Sequence, residues 1–263
     1  MFEARLAQAS LLKKIVEAVK DLIEDANFDC SPAGFSLQAM DSSHVSLVAL
    51  KLRSDGFEQF RCDRATSMGM KLKNLSTVLK CAGGEDSVTL RAAEDGDVLS
   101  FTFEAPGGER VSEFELKLMD IDSEHLGIPT NEYDASVRMP SGEFQRIVRD
   151  LASLGDTVEI SVTKDGVRFA TSGDVGSASV LIREKGSVDK PEETTELHVR
   201  EPVSLSFALR YLNSFARAAP LSSHAVIRLS KDLPVIVEYH IPEAGQLSFY
   251  LAPKIADDEG MDD

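Results

Sequence analysis

Apolar residues recur at helical spacing in four places along the chain and at every second position in many more. From about Ala9 to Ile23, Leu12, Ile15, Val16, Val19, Leu22 and Ile23 fall on one helical face. Lys13, Lys14, Glu17, Lys20 and Asp21 occupy much of the remainder. A second helix is predicted over about Leu72 to Lys80, stopped by Cys-Ala-Gly-Gly, and a third over MPSGEFQRIVRDLASL, opened by Pro-Ser-Gly. The fourth is LRYLNSFARAA from Leu209. Alternating runs predict strands: NFDCSPAGFSLQAM with a Pro-Ala-Gly turn, SSHVSLVALKL, GFEQFRC, SVTLRA, DVLSFTFEA, RVSEFELKL, VEISVTKDGVRFAT as a hairpin turning at Asp165-Gly166, and ASVLIRE. A polar loop (KGSVDKPEETTE) precedes strands at Leu197 to Val199 and before the fourth helix, and VIRLS, VIVEYHI and LSFYLAP follow it. MDIDSEHLGIPTNEYDA fits neither period and reads as a connector.

The pattern repeats. An offset of 132 places Lys14 over Arg146, Ile15 over Ile147, Gly34 over Gly166 and Leu37 over Phe169. An offset of 137 places Leu75 over Leu212 and Arg91 over Arg228. The expected fold is α+β: two similar domains, each of two βαβββ units, with helices on one face of antiparallel sheets. The expected bounds are 1–117, a connector 118–134, 135–256 and an acidic tail 257–263.

Charge sharpens this picture. The chain carries 28 Lys plus Arg against 44 Asp plus Glu, a net of −16, which by itself opposes binding to a phosphate backbone. The distribution points the other way. Lys73 and Lys80, and likewise Arg210 and Arg217, stand seven apart, nearly two helical turns, which predicts one face for each pair. Lys13, Lys14, Lys20, Lys71, Lys73, Lys80, Arg146, Arg149, Arg210 and Arg217 therefore predict basic outer helix faces, with few acids, mainly Glu17, Asp21 and Asp150. Without interleaved aromatics, such faces suit duplex phosphates better than unpaired bases, and contact without base readout suits movement along DNA. The alternative is an ordinary solvated helix face.

Other chemistry finds little support. Three cysteines without C-x-x-C spacing suggest reduced thiols, and no signal-like or membrane-length apolar run is present, so a soluble intracellular protein is expected. His44, His125, His198, His224 and His240 lack metal-ligand spacing, and no P-loop, G-x-S-x-G or G-x-G-x-x-G occurs. Asp120, Asp122 and Glu124 leave a carboxylate-metal nuclease as a rival from another class. No cofactor is expected.

MFEARL, LKK, MDSSHVSLV (Met40 to Val48), RCDR, LKCAG, FEAP, KLMD, LGIP (Leu126 to Pro129), MPSGEF, KDGV, FALRYLN, PLSS, VEY and YLAPKI together resemble the proliferating cell nuclear antigen family, the eukaryotic sliding clamps of DNA replication. The resemblance runs from Met1 to about Glu259. It implies a nuclear, homotrimeric ring of six similar domains around duplex DNA, with helices lining the hole. Its partners would be DNA polymerase delta-type enzymes, flap endonuclease, DNA ligase, a clamp loader and other PIP-box proteins. A heterotrimeric damage-checkpoint clamp subunit is the nearer rival, and an acidic scaffold without a DNA function a more distant one.

Carried over by position, the resemblance implies DNA contacts at Lys13, Lys14, Lys20, Lys80, Arg146, Arg149, Arg210 and Arg217, with Arg110 near by. Lys73 adds a charge, while Thr77 and Ser153 depart from commonly basic or polar positions. The implied PIP-box groove comprises Met40, His44, Val45, Leu47, Leu126, Ile128, Pro234, Tyr250, Ala252, Pro253 and Ile255. The residues alone say less here: Leu126, Ile128 and Pro129 are an apolar cluster in an acidic connector, which either marks an interaction site or pins the connector to its own sheets. Lys164, exposed beside a hairpin turn, matches the family's ubiquitin acceptor. For ring closure, Glu109 to Lys117 would pair with Gly176 to Arg183 of the next chain, with Cys81, Arg110, Phe114, Leu116, Ala178, Val180 and Ile182 at the contact. Phe114 replaces a common tyrosine.

Overall fold

The computed structural model describes residues 1–94, 96–122, 126–127, 132–186 and 189–255. They fall into two compact units. One comprises Met1–Ile128 with Pro220–Ser222 and Tyr239–Phe249; the other comprises Pro129–Ala219, Ser223–Glu238 and Tyr250–Asp263.

In the first unit the elements run β1 (Phe2–Leu6), α1 (Ala9–Val19), β2 (Asp25–Ser31), β3 (Gly34–Met40), β4 (Ser46–Arg53), β5 (Gln59–Cys62), β6 (Thr66–Lys71), α2 (Leu72–Leu79), β7 (Ser87–Ala92), β8 (Val98–Glu104) and β9 (Val111–Lys117). In the second they run β10 (Ala135–Pro140), α3 (Ser141–Ala152), β11 (Thr157–Thr163), β12 (Gly166–Gly173), β13 (Gly176–Ile182), β14 (Glu196–Val199), β15 (Val203–Ala208), α4 (Leu209–Phe215) and β16 (His224–Leu229). The unit boundary falls within β17 (Val235–Ile241) and near the end of β18 (Gly245–Leu251). One sheet of the first unit has the order β5-β1-β7-β8-β9, and the second unit carries β13-β12-β11-β15; all the pairings are antiparallel.

For six pairs of elements the duplication holds to the residue. α1 and α3, β2 and β11, and β3 and β12 begin at an offset of 132; α2 and α4, β7 and β16, and β8 and β17 begin at 137. The short strands β5 and β14 are additions to the βαβββ plan. Four helices also share one way of starting. None has a side-chain cap; instead the first N–H of each bonds a carbonyl just before a strand of its own unit. Ala9 donates to Asp86, Leu72 to Glu24, Ser141 to Ser223 and Leu209 to Asp156, at 2.8–2.9 Å. A donor that capping residues ordinarily satisfy is thus satisfied by tertiary contact. Within each unit, α1 packs along α2 and α3 along α4.

The apolar faces fill the cores as predicted. Leu12, Ile15, Val16, Val19, Leu72, Leu75 and Leu79 are buried in the first unit, as are Phe144, Ile147, Val148, Leu151, Leu209, Leu212 and Phe215 in the second. Tyr239 is fully buried and its hydroxyl has no hydrogen-bond partner. Burial pushes its pKa up, so it stays neutral, but the desolvated O–H is uncompensated. Tyr239→Phe is therefore expected to stabilise by up to about 1 kcal/mol in urea unfolding; a loss of that size would contradict the orphan hydroxyl.

Several boundaries differ from expectation. α1 ends at Val19 and passes into a turn in which the Leu22 and Ile23 amides share the Val19 carbonyl; Ile23 continues the apolar pattern because it is buried beyond the helix, not because it is part of it. The strand predicted from Ser42 begins at Ser46. α4 ends at Phe215 and continues as a 3-10 turn, Ala216–Leu221, containing Pro220. Proline disfavours the α conformation in the residue before it. Consequently Arg217 does not share an α-helical face with Arg210, as the spacing of seven predicts.

Candidate nucleic-acid interface and partner surfaces

Most of the basic residues lie on the helices or at their ends, whereas Lys71 ends β6 and Arg217 lies on the 3-10 turn, and many have acidic company. On α1 and just beyond it, Glu17 lies 2.7 Å from the Lys20 Nζ, accepts a 2.6 Å bond from Ser76 of α2, and approaches Lys80 at 3.8 Å. The Lys20 side chain is only 16% exposed and is spent mainly on Glu17. Lys14, Lys73 and Lys80 are exposed. On α3, Arg146 pairs with Glu143 at 2.6 Å and Arg149 with Asp150 at 3.2 Å. Glu143 is an acid the sequence tally passes over. Arg210 lies 4.9 Å over the Tyr211 ring, and Arg217 is exposed on the 3-10 turn. Arg110 is not on a helix. Its guanidinium holds both oxygens of buried Asp86, which also accepts from the Gly83 amide, so it fixes the turn after α2.

The bonds from Lys20 and Ser76 hold the Glu17 carboxyl below its usual pKa. Its folded value being depressed, the ionised form stabilises fully above the unfolded value of about 4.3 and that contribution disappears as pH falls through the folded value. Glu17→Gln keeps the acceptor for Ser76 while freeing Lys20 and Lys80. In filter-binding titrations over a salt series, duplex affinity is expected to rise and the log–log salt slope to steepen by up to about 0.9 per freed cation. An unchanged slope would remove this helix pair from the contact surface.

The implied groove residues divide between the units. In the first, Met40 and Leu47 face each other across β3 and β4. The intervening loop is organised by Asp41, 5% exposed, whose carboxylate accepts from the amides of Ser43, Val45 and Ser46 at 3.0, 2.9 and 2.7 Å. This holds His44 in the left-handed region (φ 56°) and leaves Val45 exposed. In the second unit, Pro234, Ala252 and Ile255 are exposed, and Tyr133 donates to the Pro234 carbonyl at 3.4 Å. Tyr250 is half-buried, and burial raises its phenol pKa, keeping it a neutral donor. Lys254 donates its amide to Ser206 of β15, anchoring the segment beside Pro253. Ile128, Glu124, His125 and the tail 257–263 lie outside the described residues.

The connector is tied to the first unit through its backbone. Met119 N–H bonds Gly69 O on β6, Asn27 Nδ2 donates to Ile121 O at 2.7 Å, and Gln38 Nε2 to Leu126 O at 2.8 Å. Gly69 is obligatory here, since a Cβ would stand 2.1 Å from the Met119 carbonyl oxygen. Leu126 itself remains 42% exposed. What pins this part of the connector is polar, not the apolar residue. Asn27, Gln38, Asp41 and Gly69 are the residues the sequence reading missed; in a strand, an amide that reaches a neighbouring segment looks like any solvated polar position.

Two sheet ends stand out. β9 and β13 are seven-residue terminal strands. The other ends are protected: β6 by the Met119 bridge, β15 by Lys254, and β5 and β14 by being four residues long. β9 starts at Val111, not Glu109, and β13 ends at Ile182. Phe114 lies opposite buried Phe101, and Val180 opposite buried Phe169, yet both are only half-covered. Ala178 and Ile182 alternate with exposed neighbours, Leu116 is buried, and Cys81 is exposed with its Sγ toward Thr77 O. Lys164 is exposed at the β11–β12 turn.

Among the described residues, no group of three or more His, Cys, Asp or Glu could hold a metal ion, and no helix is long and apolar enough to cross a membrane.

Two α+β units built on one duplicated plan, each with a helix pair and antiparallel sheets, define the DNA clamp fold. Residues 1–125 match the family model described as proliferating cell nuclear antigen, N-terminal domain, and residues 127–254 that for its C-terminal domain. The chain belongs to the proliferating cell nuclear antigen family, whose sliding clamps are non-enzymatic scaffolds acting on DNA.

Proposed function

We propose that this protein is a homotrimeric sliding clamp and DNA polymerase processivity factor of the nucleus. β9 of one protomer pairs with β13 of the next, so that three chains close a ring around duplex DNA. The helix pairs face the phosphates, and the contacts are weak, repeated and indifferent to sequence, which allows sliding. The chain's net negative charge discourages DNA from any other surface. Polymerase delta-type enzymes, flap endonuclease, DNA ligase and the clamp loader dock through PIP-box segments on the surfaces around Met40, His44, Val45, Leu47, Leu126 and Ile128 and around Pro234, Tyr250, Ala252, Pro253 and Ile255. Tethering there raises the enzyme's effective concentration at the DNA. Lys164 is the ubiquitin acceptor.

The observation that carries this reading is the pairing of basic helices in both copies of a duplicated unit within an acidic chain. The test is charge reversal. Lys80→Glu with Arg217→Glu is expected to shorten polymerase products on a primed circular template, while light scattering still reports a trimer. Unchanged product lengths would overturn the channel assignment. A stable monomer of the unaltered protein at micromolar concentration would favour the heterotrimeric checkpoint alternative.

A further inference from the structure

We propose that Gln38 is a positioning residue for partner binding: its side-chain amide latches the connector at Leu126 and so presents that leucine to the incoming peptide. The inference rests on the partner-groove reading above.

Gln38 lies on β3, half-buried, two residues from Met40 and therefore on the same face of the strand. Its inward neighbour Leu37 is core. The Nε2 atom spans to the Leu126 carbonyl, 88 residues further along the chain, at 2.8 Å. Among the described residues this is the last tie on the connector before position 128, beyond those at Met119 and Ile121. Holding a backbone carbonyl, it fixes the chain without covering the side chain, and Leu126 stays accessible. Met40 and Gln38 thus share one face of β3, and the Gln38 amide holds the backbone of the exposed Leu126.

A connector released from Gln38 keeps its composition and its exposed leucine, but a peptide must then order the segment on binding and loses affinity for that reason. Only a donor can serve at position 38, because the group it meets is a carbonyl oxygen. This distinguishes a latch from a residue that merely fills space.

The test is fluorescence anisotropy of a labelled PIP-box peptide with the full-length protein. Gln38→Leu and Gln38→Glu, which have no donor, are expected to weaken binding about three- to tenfold, the effect of one net hydrogen bond, with unchanged trimer mass and melting temperature. Gln38→Lys, which restores a donor, recovers most of the loss. In a Leu126→Ala background, Gln38→Leu is expected to add less than about a twofold further loss, because the latch acts through that leucine. The proposal is overturned if Gln38→Leu binds like the unaltered protein, if lysine does not rescue, or if the Gln38→Leu loss is undiminished in the Leu126→Ala background. Failure of the unaltered protein to bind the peptide would instead bring down the groove reading itself.

Discussion

Val180→Asp on β13 and Phe114→Asp on β9 are each expected to abolish the trimer, and a mixture of the two variants to give dimers. Both side chains are on the core-facing side of an outermost strand, opposite buried Phe169 and Phe101, and both are only half-covered. A neighbouring strand would complete that cover, and a carboxylate placed there would be buried without a partner. The proposed junction is heterologous, β9 against β13, so each variant retains one sound edge. Mixing joins the β13 of the Phe114 variant to the β9 of the Val180 variant and leaves a damaged edge at both outer ends. Light scattering of the separate proteins and of the mixture decides the matter. A mixture that remains monomeric while circular dichroism shows both chains folded would refute the β9–β13 junction, and unfolded chains could not produce a dimer at all.

Removal of the Asp41 carboxylate should have the second-largest effect. Asp41→Ala deprives three amides of one nearly buried acceptor, and the amide of Ser46, whose residue is 1% exposed, has little water to replace it. A cost of roughly 2–4 kcal/mol is expected in urea unfolding. The functional loss should exceed what stability alone implies, because the left-handed conformation of His44 depends on the same turn. PIP-box peptide affinity is expected to fall more than about tenfold, since groups held out of position forfeit most of their binding contribution. Asp41→Asn retains one accepting oxygen and should fall between. Peptide binding equal to the unaltered protein, in an Asp41→Ala chain that is measurably less stable, would separate the loop from the partner surface.

Much of the architecture was legible in the residues because periodicity is a direct imprint of burial. Ile15 and Ile147, or Leu75 and Leu212, recur at fixed offsets because each contributes the same apolar face to an equivalent sheet. The runs from MFEARL to YLAPKI then identified the family. Helix ends were less legible. Ile23 is apolar after the helix has stopped, and Ala216 to Ala219 contain nothing that distinguishes an α-helix from a 3-10 turn except the proline that follows.

By itself the sequence determined the two-fold repetition, the class of fold and the set of basic positions on the helices, all properties carried by side-chain type and spacing. Only the tertiary structure decided that Glu17, already three residues from Lys20, also reaches Ser76 and Lys80 of the neighbouring helix, and that Arg110, off the helices, is spent on Asp86, because contacts between segments depend on distances that spacing does not encode. It decided too that β9 and β13, among the described residues, are the long strands that end their sheets. The tie from Gln38 to Leu126 is of the same kind: one hydrogen bond across 88 residues of chain, present only after β3 and the connector have been brought together.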